Sequence, residues 1–178
     1  MTSLLQKIAS LEFTVGSIEQ DNITSVTDLN CNTLNTAGNI TIGGIISAPN
    51  QISFRACRTG SNIAVNTNTK LPFNATLHNF GGCYDTSTFE FTVPITGTYF
   101  FYISIFRNYE SNYNGTILVQ LRKNGVFHEQ LENGGVQKHF GDMVIACDVG
   151  DVVTAERRAG NLILNNDLGT AFAGFLIG

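Results

Sequence analysis

The sequence predicts an all-β domain of antiparallel strands over residues 51–178. Residues 89–93, FEFTV, alternate apolar and polar side chains, which is the pattern of a strand with one buried face. Residues 99–106, YFFYISIF, form a β-branched and aromatic run that is as long as a buried strand. Between the two runs, Pro94 interrupts strand pairing and Gly97 permits a tight turn. Two strands joined by so short a corner indicate antiparallel pairing.

The neighbouring strands are predicted from the same alternation. Ile52, Phe54 and Ala56 would share one inward face of an opening strand. Residues 117–121 alternate again and lead into Lys-Asn-Gly at 123–125, which is typical of a hairpin turn. The domain is therefore expected to consist of short strands joined by polar turns.

The first half of this domain contains a pattern of residues at fixed spacings. The pattern consists of aromatic residues, one Asn and one Gly. The set is Phe73, Asn79, Tyr84, Phe91, Gly97, Tyr99 and Phe101, and the closing strand adds Phe172, Gly174 and Phe175. This pattern resembles that of the globular head of complement C1q, in the tumour-necrosis-factor-like jelly-roll superfamily, with Ile103 in place of a last aromatic residue. The resemblance implies a ten-stranded antiparallel jelly-roll sandwich with these ten residues in its core. It also implies a head that is typically trimeric.

Residues 1–22 predict a short trimeric coiled coil. Five apolar residues follow the spacings 4, 3, 4, 3 of a heptad seam: Leu4, Ile8, Leu11, Val15 and Ile18. β-Branched residues at both the a and the d positions of the heptad are compatible with a coiled coil of three helices. The alternative is a single amphipathic helix that lies on the head.

Residues 23–50 have a different character, with short apolar and polar alternations broken by Gly and Asn. We predict a β-rich shaft that intertwines with copies from other chains, because such a segment buries too little surface alone. The run LNTAGNITIGG at 34–44 is similar to shaft segments of bacteriophage and large-virus fibres, which precede a knob. A flexible linker is the alternative.

The charge content excludes two classes of partner. Charged residues make up 13% of the chain and the net charge is −4, whereas soluble proteins carry about 25% charged residues. Electrostatics would attract neither nucleic acid nor an anionic membrane, and no apolar run is long enough for membrane insertion. The adjacent basic pair Arg157-Arg158 is expected at a solvated strand end.

The cysteines have no close pair: Cys31, Cys57, Cys83 and Cys147. Their even number permits two disulfides with three possible pairings. The N-terminal residues lack the basic and apolar pattern of a secretory signal. We therefore predict free, mostly buried thiols in a protein that is made in the cytosol and displayed on a particle surface, with an extracellular protein as the alternative.

Neither catalysis nor metal binding is predicted. Three histidines accompany the cysteines, namely His78, His128 and His139. No nucleophile motif surrounds any cysteine, and no two potential ligands have zinc spacing. Calcium is the one cofactor that the resemblance raises, but Asp148, Asp151 and the loop at 165–167 hold too few carboxylates for an independent site. These residues are expected to form turns.

Residues 107–115, RNYESNYNG, have the composition of a binding loop. The candidate ligand-binding residues are Arg107, Tyr109, Glu110 and Tyr113. Tyr and Arg offer large amphipathic contact area at a modest entropic cost. A long polar hairpin loop without a ligand is the alternative.

The order of stalk, shaft and head predicts a non-enzymatic homotrimeric fibre knob or surface spike of a virus or phage. Its head would bind a host-surface receptor or glycan, and its N-terminus would bind other virion or surface proteins. One alternative is a purely structural cap that trimerises a capsid or surface layer. Another is a soluble, secreted, cytokine-like recognition module.

Overall fold

A computed structural model describes residues 37–39, 41, 51–106, 116–134, 138–165 and 168–178. The chain divides into two units, Met1–Ile46 and Ser47–Gly178, and the fold described below is that of the second. The predicted coiled coil and almost all of the predicted shaft lie outside the described residues. Both stay predictions.

The described part of the domain is all-β, which confirms the fold class predicted from the sequence. Its strands are β1 (Ser53–Cys57), β2 (Ile63–Val65), β3 (Thr69–Lys70), β4 (Ala75–Phe80), β5 (Tyr84–Asp85), β6 (Glu90–Thr92), β7 (Gly97–Phe106), β8 (Thr116–Lys123), β9 (Val126–Gly134), β10 (Lys138–Cys147), β11 (Val152–Ala159), β12 (Leu162–Leu164) and β13 (Ala171–Leu176).

The strands form two main sheets and one small one. Sheet A has the order β10-β7-β13-β1-β4. Sheet B has the order β5-β6-β11-β8-β9, with β3 also paired to β11, and β12 pairs with β2. All of these pairings are antiparallel. Neighbours in sheet A are far apart in sequence, as in a jelly roll.

The core between the sheets is aromatic. Phe54, from β1 of sheet A, stacks on Tyr84 and Phe91 of sheet B, with ring centroids 5.0 and 4.9 Å apart. Phe172 meets the edge of Phe54 at 5.0 Å. A Cβ at Gly174 would lie 2.6 Å from a Phe101 ring carbon, so only glycine fits against this cluster. Each fully buried ring contributes about 1.5–3 kcal/mol, and the cluster therefore holds the two sheets together.

Three residues of the C1q-like pattern, Phe73, Asn79 and Tyr84, are joined by hydrogen bonds. The Asn79 carboxamide lies across the turn between β4 and β5, where its Nδ2 donates to the Tyr84 carbonyl at 2.8 Å and its Oδ1 accepts from the Tyr84 amide at 3.1 Å. The Tyr84 hydroxyl donates to the Phe73 carbonyl at 3.2 Å. Burial raises the pKa of Tyr84, so the hydroxyl stays a donor. The spacing of Phe73, Asn79 and Tyr84 is therefore set by this turn.

Replacing Asn79 by Ala is expected to lower the free energy of unfolding by about 2 kcal/mol, because both turn bonds are lost and backbone groups of Tyr84 lose their partner. Chemical denaturation at a fixed protein concentration measures the change. Exposed Asn161→Ala is the matched control and should cost far less. Equal losses in the two variants would contradict this account of the turn.

Two local expectations are corrected. Phe89 lies outside β6 with a φ of 61°, because its amide donates to the Asp85 carbonyl in a turn, so it does not share the face of Phe91. Arg157 is buried rather than solvated. Its guanidinium donates to the carbonyls of Val65 and Gly160. β11 lies inside sheet B, and a sequence pattern does not reveal that neighbours surround its end.

The three cysteines in the described part of the chain are free and buried, as predicted: Cys57, Cys83 and Cys147. Burial raises the pKa of all three thiols, and that of Cys83 to about 11. Since the thiolate is the reactive form, these cysteines are poor nucleophiles. Cys31 lies outside the described residues.

Candidate functional site

One face of sheet A is apolar although it points away from the core. Residues alternate along a strand, so the buried Tyr99 and Phe101 of β7 face inward, and Phe100 and Tyr102 face outward. β7 is therefore aromatic on both faces. A strand of this composition is normally covered on both sides.

Cross-strand pairing extends the outward face of β7 into an apolar row. Phe100 lies opposite Val144 of β10 and opposite Phe175 of β13, and Ser53 of β1 connects Phe175 to Phe80 of β4. The rings of Phe100 and Phe175 lie 5.3 Å apart. Val144, Phe175 and Phe80 are 61%, 44% and 53% exposed. The apolar row, defined as these five residues, thus crosses the whole sheet.

Further apolar side chains on or beside sheet A are exposed outside the apolar row. Phe140 is exposed on β10, and its ring stacks on that of Tyr102 at 6.1 Å. Leu77, at a bulge in β4, and Ile177, after β13, are also exposed. Single exposed hydrophobic residues are normal, but a contiguous apolar face marks an interaction surface.

The next row of the same face carries charge. Asp142 of β10 lies opposite Tyr102, which lies opposite Ala173, then Arg55 of β1 and His78 of β4. We call these five residues the charged row. Arg55 donates to the Leu168 carbonyl at 3.2 Å. Among the described residues, ion pairs occur elsewhere, at Lys70–Glu90, Arg122–Glu156 and Lys123–Asp151.

The turns at one end of the sandwich are tied together by Asp151. Its carboxylate accepts bonds from the Asn124 side chain at 2.7 Å and from the Asp148 amide at 2.9 Å. Lys123 lies 3.2 Å away. These bonds lower the pKa of Asp151 and occupy both of its oxygens. The predicted turn role is thus observed, and no cluster of three or more metal-ligating side chains occurs in the part of the chain that the structure describes.

This geometry agrees with the outcome of a comparison with known families. The family model of the C1q domain matches residues 53–177. The chain belongs to the C1q domain family. The matched region is the two-sheet unit that carries the apolar row and the charged row.

Solved structures agree at the level of the fold. The globular domain of zebrafish complement 1qA has 17% identity and a TM-score of 0.58, over 72% of this chain and 98% of that one. Eiger TNF from S. frugiperda has 12% identity and a TM-score of 0.59, over 72% and 93%. Murine APRIL has 15% identity and a TM-score of 0.53, over 71% and 98%. No curated protein matches the chain.

Most residues of the pattern that resembles C1q lie in the core of this domain. Buried or inward positions are occupied by Phe73, Asn79, Tyr84, Phe91, Tyr99, Phe101, Phe172 and Gly174. Gly97 begins β7, where a Cβ would lie 3.0 Å from the Gly178 carbonyl oxygen. Phe175 departs from the predicted core, because the alternation on β13 that buries Phe172 and Gly174 turns Phe175 outward.

The candidate ligand-binding residues Arg107, Tyr109, Glu110 and Tyr113 lie outside the described residues and stay predictions. Their segment follows Phe106 directly, at the end of β7 that is remote from Gly97. The chain enters β1 at Ser53, which shares a row with Phe100 near the beginning of β7. At about 3.3 Å per residue, the two ends of β7 are roughly 30 Å apart.

The apolar row was not predicted from the sequence. A signal was present in the run Tyr99-Phe100-Phe101-Tyr102, where both phases of the alternation are aromatic. Such a run predicts a strand that is covered on both faces. Its cross-strand partners Val144, Phe175 and Phe80 were not predictable from local patterns, because they come from distant parts of the chain.

No helix in the described residues has the length and apolar character that spanning a membrane requires.

Proposed function

We propose that this C1q domain is a non-enzymatic recognition module that acts as a homotrimer. The observation that carries the proposal is the apolar row of sheet A, in which Phe80, Phe175 and Val144 are exposed and Phe100 is partly exposed in one protomer. A second and a third copy would remove these rings from water, and closed cyclic symmetry would leave no further copy to bind. C1q-type heads are typically trimeric, which supports the same assembly.

Trimerisation would give the head multivalency. Three copies of each surface loop would face one target, so that individually weak contacts add up to useful avidity. The segment 107–115 follows the end of β7 that is remote from Ser53, where the chain enters the domain. The Tyr and Arg content of that segment favours a receptor or glycan as its partner.

A more specific part of the proposal concerns the kind of protein that carries this module. The order of predicted coil, predicted shaft and head supports a fibre knob or spike on a virus or phage, which would be made in the cytosol and bound to other particle proteins through its N-terminus. A soluble, secreted, cytokine-like module is supported equally by the C1q domain and by the TNF-like fold. In both settings, the head binds a receptor and the chain performs no catalysis.

Binding of the purified oligomer to a glycan panel and to candidate host cells tests this function. Saturable binding is expected for the native chain, and Tyr109→Ala/Tyr113→Ala should weaken it at least about tenfold, since aromatic anchors dominate many interfaces. Light scattering and circular dichroism should remain unchanged in this variant. Binding that survives both substitutions would remove the loop from the site. The absence of any binding by an intact trimer would favour the structural cap.

A further inference from the structure

The charged row is anomalous in its surroundings. Apolar side chains flank it on both sides, with the apolar row in one direction and Phe140 in the other. Asp142, Arg55 and His78 are all exposed, and none of the three forms an ion pair within the part of the chain that the structure describes. Full charges thus lie in the middle of a surface whose composition favours burial.

Covering this surface has an electrostatic consequence. A partner that removes Phe100 and Phe175 from water must also remove Asp142 and Arg55 from water, because their rows are adjacent on the same strands. A buried charge without a counter-charge is strongly destabilising. Only a partner that presents an acidic group to Arg55 and a basic group to Asp142 can therefore cover the face.

The chain itself meets this requirement. Asp142 lies on the edge strand β10, whereas Arg55 and His78 lie on β1 and β4 at the opposite side of the sheet. Three strand spacings separate Asp142 from Arg55, about 14 Å, which is too far for an ion pair within one copy. A cyclic assembly brings the negative side of each copy to the positive side of the next.

We propose that Asp142 of one copy pairs with Arg55 of the next copy, with His78 beside it, and that this pair sets the register and direction of assembly. This inference rests on the proposed homotrimer and deepens it. The pair contributes specificity more than stability, because a buried ion pair is roughly equivalent to well-packed apolar residues, whereas one half of the pair alone is costly. The apolar row supplies the driving force, and the charged row excludes wrong registers.

Charge reversal in the full-length chain tests the pair, with sedimentation equilibrium as the measurement. Asp142→Arg and Arg55→Asp should each raise the concentration needed for half-assembly about 100-fold, because like charges then meet. The double variant Asp142→Arg/Arg55→Asp should return to within about tenfold of the native chain. Glu129→Arg, an equal change of charge at an exposed position on β9 of sheet B, is the control and should leave assembly unchanged.

A mixing experiment shows whether the pair forms between copies. The two single variants carry complementary charges, so an equimolar mixture should form mixed species at concentrations where each variant alone is monomeric. In a ring of three copies, at least one contact stays mismatched, so the mixture should assemble less well than the double variant. A pair within one copy would give no gain on mixing and would overturn the inference.

The outcomes separate this inference from the proposed trimer. If both single variants assemble like the native chain, the charged row has no role in register, and the trimer itself stands. If the double variant stays dissociated while circular dichroism shows that it is folded, the pairing is wrong. If the native chain is monomeric at micromolar concentration, the trimer and the pair are both wrong.

Discussion

Replacing Phe175 by Asp is expected to convert the proposed trimer into folded monomers. In one protomer Phe175 is 44% exposed, so the new carboxylate remains hydrated and the protomer keeps its fold. In the proposed trimer, the same carboxylate would be buried beside Phe100 without a counter-charge in the apolar row. An uncompensated buried charge costs several kcal/mol, which corresponds to about a thousandfold weaker assembly.

A matched substitution on the other sheet separates the interface from a general effect of the charge. Phe127 is 48% exposed on β9 of sheet B, and Phe127→Asp should leave the oligomer intact. Light scattering over a dilution series measures the mass, and circular dichroism measures the fold. A trimeric Phe175→Asp variant would remove the exposed face of sheet A as the interface. Dissociation by Phe127→Asp alone would assign the contact to sheet B instead.

Truncating Phe54 to Ala is expected to lower the free energy of unfolding by about 3–5 kcal/mol. Phe54 is 1% exposed and its ring contacts those of Tyr84, Phe91 and Phe172, which belong to both sheets. Its loss leaves a cavity that neighbours on a rigid sandwich cannot fill. Much of the stability of a domain of this size would disappear, given totals of roughly 5–15 kcal/mol.

Denaturant titration of Phe54→Ala requires a fixed protein concentration, since the stability of an oligomer depends on it. Phe127→Ala is the control, because it removes the same atoms from an exposed site outside the core and outside the proposed interface. Its cost should stay below about 1 kcal/mol. A similar cost at both positions would contradict the central role of Phe54 in joining the sheets.

The core could be predicted from the sequence because strand alternation is local. Ile52, Phe54 and Ala56 were expected inward from their period of two, and all three are buried. The turn at 123–125 was expected from its Asn-Gly pair, and both residues have positive φ there. Where the alternation failed, at Phe89, a side-chain-supported turn begun by Asp85 prevailed over the strand pattern.

The site could not be predicted in the same way. Phe80, Phe140 and Phe175 lie in segments whose own pattern does not distinguish them from core residues. Arg157 likewise read as a solvated strand end, although carbonyl groups of Val65 and Gly160 surround its guanidinium. In both cases part of the surroundings of the side chain comes from a segment that is distant in the chain, as Val65 is from Arg157.

The sequence by itself determined the all-β class, the buried phase of strands with a regular alternation such as β1, and membership of the C1q domain family, because these depend on local periodicity and on spacings within about thirty residues. Only the tertiary structure decided which strands are neighbours. The order β10-β7-β13-β1-β4 brings Val144, Phe100 and Phe175 into one row and Asp142, Tyr102 and Arg55 into the next. That order depends on long-range pairing and on the register of each pair, which no single strand encodes.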